Sequence, residues 1–167
     1  MAWFLCTVAR DSPRNWAICK EVSAWGVSTT HENFRLDRAK PGDRLLVWLA
    51  GKGYVATATV SDAMRRPTDK ADAPWPGGLH RYGAVVPFRL DLELDPPLNL
   101  RFQNNRQTAT GINLFQLRRG FIAIPDTAGE AAEAAMLQAA EERHRLGGRI
   151  GSAPSTSDSR SASDVEK

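Results

Sequence analysis

The sequence predicts one α+β domain over residues 1–125, a C-terminal helix over residues 126–147 and a disordered tail over residues 148–167. Three observations carry that prediction. Arg44-Leu-Leu-Val-Trp-Leu49 and Tyr54-Val-Ala-Thr-Ala-Thr-Val60 are apolar, partly β-branched runs joined by Gly51-Lys-Gly53, which makes them the clearest hairpin in the chain. From Phe88 onward, Leu90, Leu92 and Leu94 alternate with Arg89, Asp91 and Glu93, the period of a strand with one buried and one wet face. Thr127-Ala-Gly-Glu130 is a capping box ahead of an alanine-rich stretch, and Gly147-Gly148 is its expected end.

The remaining elements follow in order. Trp3-Phe-Leu-Cys-Thr-Val8 is short, aromatic and β-branched, so it reads as a buried strand. Asp11-Ser-Pro13 supplies a capping side chain and an early proline, which opens a helix running to about Val22 with Trp16, Ile18 and Cys19 toward the core. A strand over Ala24 to Ser28 comes next, then a polar loop or single turn through Asp37. Lys40-Pro-Gly-Asp43 is a turn that starts the hairpin. Residues 63–81 read as one long loop, a length that in compact domains belongs to functional or disordered segments. The strand from Val85 to Leu94 contains Pro87, which favours an edge or a bulge. Pro96-Pro-Leu98 turns the chain, residues 103–111 form a polar loop, and Phe121-Ile-Ala-Ile124 closes the sheet. On the last helix, Glu141 and Arg145 stand one turn apart and are expected to pair.

Composition narrows the function classes. At 167 residues and 42% hydrophobic, the chain can bury one core and carry an appendage. No apolar run has the length of a membrane span, and Met1-Ala-Trp-Phe-Leu-Cys6 lacks the basic start of a signal peptide. Cys6 and Cys19 are isolated, without CxxC spacing, so neither a disulfide nor a metal site is expected and a reduced cytoplasmic setting is the default. Residues 1–125 hold 17 Lys/Arg against 11 Asp/Glu, whereas residues 126–147 carry five acids and two bases. A basic body of this kind is compatible with a polyanion partner on one face.

Enzyme chemistry finds little support. His31, His80 and His144 lie in polar contexts with no adjoining nucleophile motif, and neither glycine stretch leads into the helix a phosphate loop needs. No catalytic residue, metal ligand or cofactor is therefore assigned. The tryptophans are more informative: all five precede residue 76. Trp3 and Trp48 suit a core. Trp25 stands before glycine and a run of hydroxyl residues, and Trp75 lies in Ala73-Pro-Trp-Pro-Gly-Gly78, settings that suit a stacking surface for a flat ligand such as a nucleobase. Asn15 lies ten residues before Trp25 across a helix-to-strand connection, which can bring an amide beside the ring. Ser28 and Thr29 add hydroxyls, while Arg65, Arg66, Arg118 and Arg119 are candidates for phosphates. The competing reading makes Asn15 a turn cap and the arginines a solvated rim.

The order of Trp3-Phe-Leu-Cys6, Asn15-Trp16, Trp25-Gly26-Val27, His31 with Asn33, Lys40-Pro-Gly-Asp-Arg-Leu-Leu-Val-Trp48 and Val55-Ala-Thr-Ala-Thr-Val60 resembles the EVE domain. More distantly it is similar to the YTH domain, a reader of N6-methyladenine in RNA. In that family an Asn precedes a cage Trp by ten residues and a second cage Trp lies in the long loop after the hairpin. The resemblance spans roughly residues 2–125. It implies a PUA-like mixed β-barrel flanked by helices, and recognition of a modified base, in DNA or RNA, flipped into an aromatic pocket. The implied base-binding set is Asn15, Trp25, Gly26, Ser28, Thr29 and Trp75. Two positions depart from the YTH pattern: Gly26 stands where many members have serine, and Ala9 with Arg10 stands where they carry lysine, which makes Arg10 a further phosphate candidate. An enzyme or sensor for a small ligand in the same barrel, and a protein-interaction module with a contiguous apolar patch, are the alternatives.

Overall fold

The computed structural model describes residues 1–28, 35–100, 110–113 and 115–150. Its most apolar runs become the centre of a sheet. β1 (Trp3–Val8) lies parallel to β3 (Arg44–Leu49), and β4 (Gly53–Val60) pairs antiparallel with β3 through the expected hairpin. β5 (Tyr82–Leu98) is antiparallel to β4 and also to β2 (Ala24–Ser28), while β6 (Phe121–Ile124) is antiparallel to β1. The order β2-β5-β4-β3-β1-β6 forms one curled half-barrel sheet, mixed because of the single parallel pair. Strands buried on both faces read as continuous apolar runs, and β1 shows why. Trp3 and Leu5 join one core cluster, under α3 (Asp126–Ile150); Phe4, Cys6 and Val8 join the other, beside α1 (Asn15–Val22).

Buried polar contacts fix the register of these parts. Asp43, at the end of the Lys40-Pro-Gly turn, accepts the backbone N–H groups of Ala2 and Lys40, each at 2.9 Å, so it ties the hairpin's start to the start of β1. Ala128, Ala132 and Met136, spaced by four, form the buried stripe of α3. A Cβ on Gly129 would overlap the Trp3 indole, so glycine is what lets the helix sit this close. Arg44 lies 4.8 Å from the Trp3 ring centroid and pairs with Glu133, which pins the other side of the helix.

Several expectations give way. α1 begins at Asn15 rather than after Asp11, because residues 9–15 form successive turns (Ser12 N–H to Ala9 O, Asn15 N–H to Ser12 O) and no side chain caps the helix. β5 is far longer than its apolar alternation and runs through Pro96 and Pro97, which do not turn the chain. Pro87 is internal to the sheet. It is tolerated because β5 changes partner there: residues up to Pro87 pair with β2 and those from Phe88 pair with β4. A bulge opposite Thr57 and Ala58 inserts one residue into β5 and breaks the alternation, leaving Leu90 39% exposed and Leu92 half-buried while Leu94 stays buried. The long loop of residues 63–81 ends in a short helix, α2 (Gly78–Arg81), and is tied to the sheet by a bridge between Arg65 and Val85.

α3 continues past Gly147 to Ile150; an interior glycine costs only about 1 kcal/mol, and Gly147 does not take the positive φ that would end a helix. Glu141 and Arg145 are not paired. Besides the Arg44–Glu133 pair, the surface contacts of α3 among the described residues include Gln138 to Glu142 and Arg143 to the Pro96 carbonyl. Residues 148–150 thus belong to the helix, and the rest of the expected tail, residues 151–167, lies outside the described residues.

Candidate functional site

β2 is the last strand of the sheet, and the helix α1 that precedes it turns back into it through Ser23 in the left-handed conformation. This tight reversal puts the start of α1 beside the middle of β2. A cavity of about 300 Å³ opens there, closed on its far side by the end of β1 and the start of β6. Asn15, Trp25, Gly26, Ser28 and Trp75 all line it. Trp25 and Trp75 are only 5% and 3% exposed. They are therefore wall residues of the core rather than rings displayed on a loop, and the loop composition around Trp75 misled on this point because the loop folds back onto α1 and β2.

The wall is closely fitted. Trp75 donates its indole N–H to Cys19 Sγ at 3.3 Å and packs against Tyr82, with centroids 5.1 Å apart and planes tilted by 47°. Both rings lean on Gly26: a Cβ there would stand 2.8 Å from Tyr82 Cδ1 and 2.9 Å from Trp75 Cε3. No real Cβ contact is that short, so a serine at this position could not coexist with these two rings as they stand. Asn15 Nδ2 donates to the Tyr82 hydroxyl at 3.3 Å, which orients the amide and leaves its carbonyl oxygen for another donor. The Trp25 indole N–H and the Thr7 hydroxyl, both on residues lining the cavity, are buried and have no partner among the described residues. Buried polar atoms are nearly always satisfied, so two orphans around one cavity favour a polar occupant.

Two ionisable groups of the described lining, Cys19 and Tyr82, are held in their neutral forms. Burial pushes the Cys19 thiol up to about 12, against the lowering effect of the Trp75 N–H, and burial likewise raises the Tyr82 hydroxyl. Among the described residues, no three His, Cys, Asp or Glu side chains gather to hold a metal, and no helix is long and apolar enough to cross a membrane.

Among the described residues, four arginines line the cavity. Arg118 and Arg119 were expected from the sequence; Arg38 and Arg81 were not. Arg38 lies 5.4 Å from the Phe121 ring centroid, and Arg81 lies 5.7 Å from that of Tyr82. Tyr82 itself was also missed, since a tyrosine opening an apolar strand carries no sequence signal of a site. The other phosphate candidates lie elsewhere. Arg10 rests over Gly51 in the β3–β4 turn, and Arg66 is exposed away from the cavity. Thr29, the remaining base-binding candidate, lies outside the described residues.

Arg65 is held in a two-pronged ion pair with Asp72, so its charge is already matched within the loop. Asp72 also accepts the backbone N–H of Thr68 at 3.0 Å. The Arg65 guanidinium, followed by that N–H, lowers the Asp72 carboxyl from 3.8 to about 2. A depressed folded-state value means that the pair stabilises the loop fully above pH 3.8 and ceases to do so as pH falls through 2. The amide resonance of Thr68 is therefore expected to titrate with a midpoint near 2, and in Arg65→Ala the midpoint should move toward 3.8. An unmoved midpoint would remove Arg65 as the cause.

No protein-family model and no curated protein matches the sequence. Solved structures do. The YTH domain-containing protein mmi1, in an RNA complex, superposes with a TM-score of 0.59 at 11% identity, over 85% of this chain and 85% of that one. The fold is YTH-like. A hypothetical protein from Leishmania major superposes at 0.56 with 15% identity, over 86% of this chain and 97% of that one. The YTH domain of Zygosaccharomyces rouxii MRB1, in complex with N6-methyladenosine RNA, reaches 0.46 at 14% identity, over 81% and 83%. At such identities the likeness is one of fold, and the YTH-like description of that fold rests on the mmi1 superposition.

Proposed function

We propose that this chain is a non-enzymatic nucleic-acid-binding module of EVE type, within the PUA-like group of folds, that recognises a methylated base flipped into the cavity between Trp25 and the Trp75–Tyr82 pair. The observation that carries this reading is the composition of one cavity: aromatic walls, an oriented amide at Asn15, an orphaned indole N–H at Trp25, and arginines around the mouth. Its volume of about 300 Å³ is at the lower end for small-molecule sites, which suits a single base better than a larger cofactor. Stacking gives affinity and the amide reads an edge of the base, while a methyl group gains about 0.8 kcal/mol on leaving water. Among the described residues, the lining holds no histidine, lysine or carboxylate to act as general acid or base near neutral pH. The RNA in the mmi1 structure is bound by a protein of the same fold and supports a nucleic-acid partner.

The test is a binding screen of short RNA and DNA strands, each with one methylated base, against their plain counterparts. One modified strand is expected to bind more tightly than its plain form. Trp25→Leu, which keeps bulk but removes the π-face and the N–H, is expected to abolish that preference. A folded Trp25→Leu protein with its discrimination intact would put the base elsewhere. Equal binding of every modified and plain strand by the wild type would end the modified-base reading.

A further inference from the structure

Phe115 is 74% exposed, whereas the other aromatic rings among the described residues are buried or half-buried. It directly precedes a single 3-10 turn, Gln116–Arg118, whose last residue lines the cavity mouth. The backbone N–H of Arg118 bonds to the Phe115 carbonyl at 3.2 Å. In a 3-10 turn, side chains at i and i+3 eclipse one another, so Phe115 and Arg118 share one face. Leu117, on a different face, is almost fully buried and anchors the turn, which forces the Phe115 face outward. The turn is also braced: Asn113 N–H donates to Gln116 Oε1 and Gln116 N–H donates to Asn113 Oδ1, each at 2.9 Å. Phe115 is thus an exposed ring on a fixed mount, beside an arginine at the edge of the site.

We propose that Phe115 is a stacking platform for the nucleotide adjoining the one whose base enters the cavity, with Arg118 between them on the connecting phosphate. The placement of the neighbouring base rests on the flipped-base reading of the cavity. Fixed mounting matters because a ring that is already ordered loses little freedom on binding. Stacking on an aromatic face is tolerant of sequence, since every base has a π-face, so the platform adds affinity for a single strand without adding base specificity. It also sets the ligand class: a strand of at least two nucleotides, unpaired beside the flipped base, because a paired neighbour has no free face to offer.

The experiment measures the affinity of wild type, Phe115→Ala and Phe115→Trp for three probes: a short single-stranded RNA carrying one N6-methyladenine, the same strand unmodified, and the free N6-methyladenosine nucleoside. Because Phe115 is exposed, both variants are expected to fold as the wild type does. Phe115→Ala should weaken both strands by about five- to a hundredfold, leave any nucleoside binding unchanged, and preserve the modified-to-plain ratio. Phe115→Trp should restore strand affinity or exceed it. Unchanged strand affinity in Phe115→Ala overturns the platform and leaves the cavity reading to the modified-to-plain ratio of the wild type. A strand loss without any modified-base preference in the wild type, for either methylated adenine or the other bases of the screen, keeps the platform and removes the flipped base. Nucleoside and strand weakened equally would place Phe115 in the cavity wall and overturn the proposal.

Discussion

Trp75→Ala is expected to destabilise the protein by about 3–5 kcal/mol, a large part of the net stability of a domain this size. The ring is 3% exposed, fills the space over Gly26, meets Tyr82 and donates to Cys19, so its removal leaves a cavity and takes one hydrogen bond from the thiol. Denaturant unfolding should show the transition midpoint falling with little change in slope, since the surface exposed on unfolding is nearly the same. Trp75→Phe keeps most of the contact area but gives up the N–H, and should cost clearly less. Equal losses in the two variants would mean that the hydrogen bond to Cys19 outweighs the packing. A loss below about 1 kcal/mol in Trp75→Ala would mean that the loop carrying Trp75 is not docked in solution, and the wall of the candidate site would then have to be redrawn.

Most strands and the long helix α3 were legible because each has a pattern that depends on neighbours in sequence, although α3 starts at Asp126, one residue before the Thr127 of the expected capping box. The β3–β4 hairpin, the buried β1 and the alanine stripe of α3 are of this kind. What was not legible depends on partners distant in sequence. Leu90 obeys the alternation of its own segment but not the bulge that β4 imposes opposite Thr57 and Ala58. Pro87 looks like an edge signal, yet it sits where one strand exchanges β2 for β4, a fact that no local pattern encodes. At the site, Asn15, Trp25 and Trp75 could be singled out because amide and indole are rare and chemically pointed. Arg38, Arg81 and Tyr82 could not, since many arginines and an ordinary strand tyrosine look the same until folding brings them to one rim. Gly26 is the instructive case. The departure from serine at this position, puzzling in the sequence, has a steric reason in the two rings that close over it.

The division of binding energy between pocket and rim leads to the second large effect. Arg118 and Arg119 line the mouth of the cavity, are exposed, and reach it from the braced turn before β6. If they contact backbone phosphates, the double variant Arg118→Ala/Arg119→Ala should weaken modified and plain strands alike, on the order of ten- to a hundredfold together. Each lost phosphate contact on a single strand should flatten the plot of log affinity against log salt by roughly 0.7. Arg65→Ala serves as the internal control. Its guanidinium is already matched by Asp72, so its removal should change the salt slope little, even though it was equally eligible by sequence. A double variant that keeps the wild-type slope but loses the modified-to-plain ratio would move these arginines from the phosphates to the base. Loss of slope in Arg65→Ala rather than in the double variant would carry the strand across the loop of residues 63–81, away from the Phe115 side of the cavity.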